Sequence, residues 1–115
     1  MYIKRIYDQA EPQDGYRILV DRLWPRGVSK EKAHVDVWLK EIGPSSDLRT
    51  WFGHQPERFK DFRTKYEKEL NHNPTLDELK SIIKKHPSST LLYSARDTTM
   101  NQAVVLLEIL KNNKK

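Results

Sequence analysis

The sequence predicts an α/β domain, and three features of its apolar pattern lead to that prediction. Residues 18–20 and 91–93 form short, continuous apolar runs, which are typical of strands covered on both faces. Between these runs, apolar side chains recur at steps of three and four, as in amphipathic helices. After the second run, a short polar turn leads into a helix that is apolar almost all round at residues 103–107. A buried strand followed by a turn and a buried helix is typical of α/β folds.

The first third of the chain is predicted to contain two strands. Residues 2–8 combine aromatic and β-branched residues and stop at a polar stretch that contains Pro12. Residues 16–23 form the second strand, which ends in a turn rich in Arg, Pro and Gly. Ser29 is placed to cap a short helical turn that follows. Residues 35–42 stay open, because their apolar positions fit both a helix and a strand.

Three helices are predicted in the middle of the chain. The first follows an N-cap at Ser45 or Ser46 and ends at Gly53. The second begins at Pro56, and its apolar residues recur at helical steps up to residue 70. The third is predicted from a capping box at residues 75–78 and ends before Pro87.

The last part of the chain is predicted to hold a buried strand at residues 90–95 and a helix at about residues 99–110. Residues 1–110 are therefore expected to form one domain, and residues 111–115 a basic polar tail.

The net charge of +5 first suggests a nucleic-acid partner, but its distribution weakens that suggestion. Lys and Arg number 21 against 16 Asp and Glu, and three of the lysines, Lys111, Lys114 and Lys115, lie in the tail. Without them the balance is 18 to 16, so the body of the domain is nearly neutral.

Several chemistries are excluded by what the sequence lacks. There is no Cys, so disulfides, thiolate metal sites and cysteine nucleophiles are absent. No His has metal-ligand spacing with another His, and no glycine-rich phosphate loop is present, so we predict neither metal nor cofactor. The N-terminus has charges where a signal peptide needs an apolar run, and no apolar run is long enough to cross a bilayer. We expect a cytoplasmic protein without a membrane partner.

Two polar turns, at residues 21–27 and 94–99, are expected beyond the C-terminal ends of strands, where α/β folds bind ligands. If their strands are neighbours, Arg22, Arg26 and Arg96 can converge on one phosphate or carboxylate group. The hydroxyl of a serine or threonine in the second turn would assist them.

An alternative interpretation gives the same turns a purely structural role. Arg22 and Arg96 would then pair with the adjacent Asp21 and Asp97 and only hold their loops. Asp97 is either a helix N-cap or a carboxylate that transfers protons.

Aromatic residues and one imidazole form further candidates. His54 follows a predicted helix end and is either a general acid or base or a polar loop residue. Trp51 is either core or a stacking platform, and Trp24 either stacks on a planar ligand or forms a packed corner.

Four ordered motifs run through the chain. They are DRLWPRG at residues 21–27, WLKEI at 38–42, LR with WFGH at 48–54, and LLYSARD with Asn101 and AVVL at 91–106. Together they resemble the domain-of-unknown-function 488 family, in its short YeaO-like branch, and the resemblance covers about residues 3–110.

The resemblance implies a three-layer α/β/α domain of the bacterial cytoplasm, with a short, mainly parallel sheet, four to five helices and no settled activity. It also implies a pocket, whose residues would be Arg22, Trp24, Arg26, Trp51, His54, Arg96, Asp97 and Asn101. Longer members often carry Cys and His in the segment equivalent to residues 94–101, and this chain has neither. Short members commonly have a His before the Asn, where this chain has Met100. The only imidazole in a family motif is therefore that of His54.

These observations lead to a hypothesis with two alternatives. The first is a pocket for a small phosphorylated or nucleotide-like molecule, bound by the arginines and by Ser94 and Asn101, stacked on Trp24 or Trp51, and hydrolysed with Asp97 or His54 as proton-transfer groups. The alternatives are a nucleic-acid-binding module that uses Lys-rich helices and the tail, and a non-catalytic sensor with the same pocket. The sequence leaves the oligomeric state open.

Overall fold

The computed structural model describes residues 1–112, and its centre is a sheet of four parallel strands. The strands are β1 (Tyr2–Arg5), β2 (Tyr16–Leu19), β3 (Val37–Trp38) and β4 (Ser89–Tyr93). Their order across the sheet is β1-β4-β2-β3, so the last strand of the chain lies between the first two. The α/β class predicted from the sequence is confirmed.

Five α-helices connect and cover the strands. They are α1 (Lys30–Ala33), α2 (Ser46–Phe52), α3 (Phe59–Asn71), α4 (Pro74–Lys85) and α5 (Gln102–Asn112). The caps follow the local sequence: the Ser29 hydroxyl accepts the N–H of Lys32, and the Ser45 hydroxyl accepts that of Leu48. No helix within residues 1–112 is long and apolar enough to cross a membrane.

The main core lies between one face of the sheet and helices α2 to α5. Partners across parallel strands share a face, so Ile3, Ile18 and Leu91 point to the same side. Ile18 and Leu91 are completely buried there, together with Phe62 and Tyr66 of α3. Burying one such aliphatic side chain contributes about 1.5–3 kcal/mol, so this face supplies most of the stability.

The opposite face has a thinner cover. Leu19 and Leu92 point to that side and pack with Ala33 of α1 and with the loop residues Trp24 and Val28. The three layers implied by the family resemblance are therefore unequal, because the second helical layer is the single turn of α1 and its neighbouring loops.

The segment at residues 35–42 contains both kinds of structure that its pattern allowed. Val37 and Trp38 form β3, and residues Lys40–Ile42 form a 3-10 turn directly after it. The strand is short because the apolar residues of the turn, Leu39 and Ile42, are buried in the main core and not on the sheet.

Several predicted boundaries differ in the structure. Strands β1 and β2 end at Arg5 and Leu19, earlier than predicted, and α3 begins at Phe59, after a 3-10 turn at Pro56–Arg58. Helix α4 begins at Pro74 and is capped by Asn73, whose Oδ1 accepts the N–H of Thr75, so Thr75 lies in the first turn and is not the cap. Proline suits that first position because it has no N–H to satisfy. Helix α5 runs to Asn112, so the first two residues of the predicted tail are helical. The rest of that tail, residues 113–115, lies outside the described residues.

Candidate functional site

A groove of about 920 Å³ opens beyond the C-terminal ends of β2 and β4. Both polar turns singled out in the sequence line it, together with the end of α2 and the start of α5. The turns meet because β2 and β4 are adjacent parallel strands, whose C-terminal ends lie at one edge of the sheet.

The first turn is fixed by the residues at its start. The N–H of Val20 donates to the carbonyl of Leu92, and the indole N–H of Trp38 donates to the carbonyl of Asp21 at 2.7 Å. Arg22 then reaches across to the loop before α2, where Nη2 donates to the Gly43 carbonyl at 2.7 Å and Nε to the Pro44 carbonyl at 3.0 Å. Arg22 lines the groove, but its guanidinium binds the protein itself.

Gly43 is required for this clamp. A Cβ added there would lie 2.9 Å from the backbone nitrogen of Arg22, closer than real Cβ contacts allow. The glycine therefore lets the loop before α2 approach the first turn.

Arg26 and Arg96 are the arginines that face the groove with free side chains. Both are exposed, and neither guanidinium makes a hydrogen bond or ion pair with another residue of the described chain 1–112. The backbone of Arg26 is held by the Tyr7 hydroxyl, which donates to its carbonyl at 3.0 Å. The alternative in which Arg96 pairs with Asp97 does not occur between these described residues.

Asp97 organises the second turn. Its Oδ1 accepts the N–H groups of Thr99 and Met100, each at 2.9 Å, and the Thr99 hydroxyl at 3.0 Å. These hydrogen bonds, with a smaller effect from the nearby imidazole of His54, hold the pKa of Asp97 below its usual value. The carboxylate therefore acts as a cap of the turn, one of the two roles that the sequence allowed.

Asn101 links that turn to α5. It is buried, its Oδ1 accepts the N–H of Val104 at 3.0 Å, and its Nδ2 donates to the Asp97 carbonyl at 2.8 Å. Asn101 is thus the N-cap of α5 and positions the turn that carries Ser94 and Arg96.

His54 lies on the rim of the groove and is exposed. It has a positive φ of 55°, directly after Gly53 at 52°, so two successive residues are left-handed. A left-handed residue other than glycine is uncommon and costs about 1–2 kcal/mol.

The two candidate tryptophans lie in different places. Trp24 lines the groove, but its indole N–H donates to the Val28 carbonyl at 2.8 Å and its ring packs edge-on against Trp38, so it forms a corner. Trp51 is not among the groove residues. Its ring is covered by the cationic groups of Arg58 and Lys65, at 5.4 and 5.3 Å from the ring centre.

Several polar residues of the groove were not among the candidates for ligand binding, and they include Asp21, Arg49 and Gln102. Asp21 is only 8 % exposed, and its Oδ1 accepts from the Gln102 amide while its Oδ2 has no hydrogen-bond partner within residues 1–112. Arg49 of α2 has a buried Nε that also lacks a partner among these residues. Two features of the sequence could have indicated these residues. Asp21 is a charged residue directly after an apolar strand run, and Arg49 belongs to the LR motif.

The charge of Asp21 is energetically costly. Burial raises the pKa of its carboxyl above the usual value, although the nearby polar groups of Ser94 and Gln102 and the charge of Arg49 act in the opposite direction. Ser94 lines the groove two residues before Arg96, and its N–H and hydroxyl lie close enough to the Asp21 carboxyl to lower its pKa, although neither makes a hydrogen bond to Oδ2.

Within residues 1–112, no group of three or more His, Cys, Asp or Glu side chains is arranged to hold a metal ion. What the groove offers is free arginine side chains, a buried carboxylate and amide and hydroxyl groups, which suit an anion with additional polar groups.

The amino-acid sequence matches one family model and is similar to several bacterial proteins. The family model described as the inactive DUF488-N3 subclade matches residues 1–115. The uncharacterized protein YeaO of Escherichia coli (strain K12) is 50% identical over 110 residues, which cover 95% of each chain. The uncharacterized protein Rv3073c of Mycobacterium tuberculosis (strain H37Rv) is 38% identical over 108 residues, covering 94% of this chain and 91% of that protein. No solved structure matches.

Proposed function

The chain belongs to the DUF488-N3 family, in the subclade described as inactive, and we propose that it binds a small anionic molecule in the groove without converting it. The observation that carries this proposal is the pair Arg26 and Arg96. Two exposed guanidinium groups line one groove, and neither has a partner within residues 1–112. Arg49 adds a third positive charge to the same groove.

The arginine arrangement favours a phosphate or carboxylate group as the ligand's anchor. Guanidinium groups bind such anions through two parallel hydrogen bonds, and several like charges around one groove raise the local concentration of anions. Arg22 is left out of this role because its donors already bind the carbonyls of Gly43 and Pro44.

The side chains considered for proton transfer support binding over catalysis. Asp97 has a lowered pKa, so it is ionised at neutral pH and cannot donate a proton, and its Oδ1 is already occupied by the turn. His54 is an exposed rim residue with no hydrogen bond to a nucleophile or to an orienting group within residues 1–112. The description of the subclade as inactive agrees with this choice. Small phosphorylated metabolites are cytoplasmic, so we place the protein in that compartment.

Isothermal titration with phosphorylated metabolites and nucleotides tests the proposal. We expect at least one of them to bind, and Arg96→Ala to weaken its affinity by about tenfold or more, because a charge-assisted hydrogen bond is lost. Arg96→Lys should recover only part of the affinity, since lysine lacks the planar pair of donors.

The matched control is Arg63→Ala, which removes one positive charge from the helical face, where Arg63 pairs with Glu108 at 2.7 Å. It should leave the affinity unchanged. Mass spectrometry of the incubated ligand should show no product. Equal losses in both alanine variants would contradict the site, and turnover would contradict the non-catalytic role.

A further inference from the structure

The floor of the groove contains two buried polar atoms that the protein does not use. Oδ2 of Asp21 and Nε of Arg49 are both buried and have no hydrogen-bond partner within the described chain. An unpaired buried polar group costs about 1–3 kcal/mol, so native proteins rarely retain one without a purpose. Both residues line the same groove as Arg26 and Arg96.

The neighbourhood of Asp21 holds this carboxylate in place. Its backbone carbonyl accepts the indole N–H of Trp38 at 2.7 Å, and its Oδ1 accepts the amide of Gln102 at the start of α5. One oxygen is thus fixed by the fold, and the geometry leaves the other for a different donor.

Arg49 has a complementary geometry. Its Nη2 donates to the Ser46 hydroxyl at 3.3 Å, one turn earlier in α2, and its Nε–H is a buried donor without a partner within residues 1–112. The floor of the groove, formed by Asp21 and Arg49, therefore holds one unpaired acceptor and one unpaired donor, both shielded from solvent, while Arg26 and Arg96 belong to the exposed part of the groove.

We propose that Asp21 and Arg49 recognise the non-ionic part of the ligand, with Asp21 Oδ2 accepting an O–H or N–H of the ligand and Arg49 Nε donating to one of its oxygen or nitrogen atoms. This inference rests on the proposed function. It narrows the ligand class to phosphorylated molecules that carry hydroxyl or amide-type groups, such as sugar phosphates or nucleotides, and it disfavours bare phosphate and alkyl phosphates. A volume of about 920 Å³ accommodates ligands of that size.

Three probes separate the parts of the proposal. Methyl phosphate offers the anion alone, ribose-5-phosphate adds hydroxyl groups, and uridine monophosphate adds hydroxyl groups and a base. Affinity is measured by ¹⁵N-detected titration of the full chain, which also follows the Nε–H signal of Arg49. We expect ribose-5-phosphate or uridine monophosphate to bind about tenfold or more tightly than methyl phosphate, and only the tighter ligand to shift the Arg49 signal strongly. Tighter binding of ribose-5-phosphate would identify the sugar hydroxyls as the recognised group, and tighter binding of uridine monophosphate would identify the base.

Asp21→Asn and Arg49→Lys test the two residues separately. Each should reduce that preference about tenfold, and neither should weaken the binding of methyl phosphate, because Arg49→Lys keeps the charge and Asp21→Asn removes a negative one. Arg49→Lys keeps the positive charge and lies on a partly exposed helix position, so it serves even if the substitution at the buried Asp21 impairs folding. Asp8→Asn, at an exposed residue outside the groove, is the matched control and should change neither the preference nor the affinity for methyl phosphate.

The outcomes distinguish the two proposals. If the three probes bind equally, and Arg96→Ala weakens all of them, the anion groove stands and the floor recognition is overturned. A preference that survives both Asp21→Asn and Arg49→Lys overturns it as well. If none of the probes binds, the proposed function fails and this inference fails with it.

Discussion

At the scale of single residues, two buried aspartates behave in opposite ways. Burial tends to raise the pKa of Asp14, but hydrogen bonds from the N–H of Glu11 and from Lys4 and Arg17 outweigh it and hold the pKa below the usual value. At Asp21 the polar groups of Ser94 and Gln102 and the charge of Arg49 do not outweigh burial, so the pKa stays above the usual value. Asp14 lies at the other end of the sheet from the groove, before β2, and its partners identify it as structural. A buried carboxylate that the protein compensates only in part, and that lines a groove, is typical of a binding residue.

Asp21→Asn is expected to stabilise the protein at neutral pH. The folded-state pKa of Asp21 lies above its unfolded value. The contribution of Asp21 to the free energy of unfolding is therefore fully present below the unfolded pKa, and it is lost as the pH rises through the folded pKa. Asp21→Asn cannot ionise, so it does not lose this stability as the pH rises. Thermal melts at several pH values should show wild type and variant converging in acid, and the variant higher by a few degrees near pH ~7.

Asp14→Asn is the matched isosteric control, and we expect it to change the stability at neutral pH in the opposite direction. It leaves Arg17, which is only 4 % exposed, without its carboxylate, so we expect a loss of about 3 kcal/mol at neutral pH, near the lower limit for a broken buried pair. Arg17 still donates to the carbonyls of Ala33 and His34, which limits the loss. Should Asp21→Asn also destabilise the protein by this amount, Asp21 would be structural.

At the scale of elements, the start of α5 controls the groove. The capped turn from Asp97 to Asn101 places Ser94 and Arg96 on one side, and Gln102 of α5 reaches Asp21 on the other. The clamp of Arg22 on Gly43 and Pro44 does the same for the loop before α2. The binding side chains are therefore carried by loops whose backbones are held by other side chains, as in many α/β proteins.

Asn101→Ala should weaken both stability and binding. Losing the N-cap of α5 and the bond to the Asp97 carbonyl costs about 1–2 kcal/mol, and the loosened turn no longer positions Arg96. Asn73→Ala is the matched control, because Asn73 caps α4 in the same way but does not line the groove. Denaturant melts should give similar losses for both variants, and titration should show weaker ligand binding for Asn101→Ala alone. Equal ligand affinities in the two variants would contradict the positioning role.

At the scale of the whole molecule, the sheet is covered unequally and the positive charge is divided. Helices α2 to α5 build the large core on one face, and α1 with its loops covers the other. The outer surface of α3 alternates in sign, and Arg63 there pairs with Glu108 of α5. A surface of this kind does not present the continuous positive patch on which nucleic-acid binding depends.

Salt dependence tests that difference. The affinity for a single-stranded oligonucleotide should be weak, fall steeply with salt, and disappear in the double variant Lys114→Ser, Lys115→Ser, because the tail lysines supply the excess charge. The affinity for the tighter small ligand should be unchanged in that variant. Tight oligonucleotide binding that survives the double substitution would favour a nucleic-acid-binding module.

Much of the fold could be predicted from local patterns. The buried strands, the helical steps of α3 and the caps at Ser29 and Ser45 depend on neighbouring residues, and the structure has them near the predicted places. The start of α4 was misplaced because Asn73 and Thr75 both offer capping oxygens, and the fixed φ of Pro74 decides between them. Residues 35–42 stayed ambiguous because packing, and not periodicity, ends β3 after two residues.

By itself, the sequence determined the α/β class, the absence of sulfur chemistry and the two arginine-bearing turns, because these follow from residue types and their spacing. Only the tertiary structure decided which polar groups remain unused. The pairing of β2 with β4 brings the turns together. Tertiary contacts then bind the Arg22 guanidinium to the loop before α2 and cover the Trp51 ring with Arg58 and Lys65. The same packing buries Oδ2 of Asp21 and Nε of Arg49, and neither atom has a partner within residues 1–112. Whether a side chain is free depends on partners that the chain folds against it, and local sequence does not contain that information.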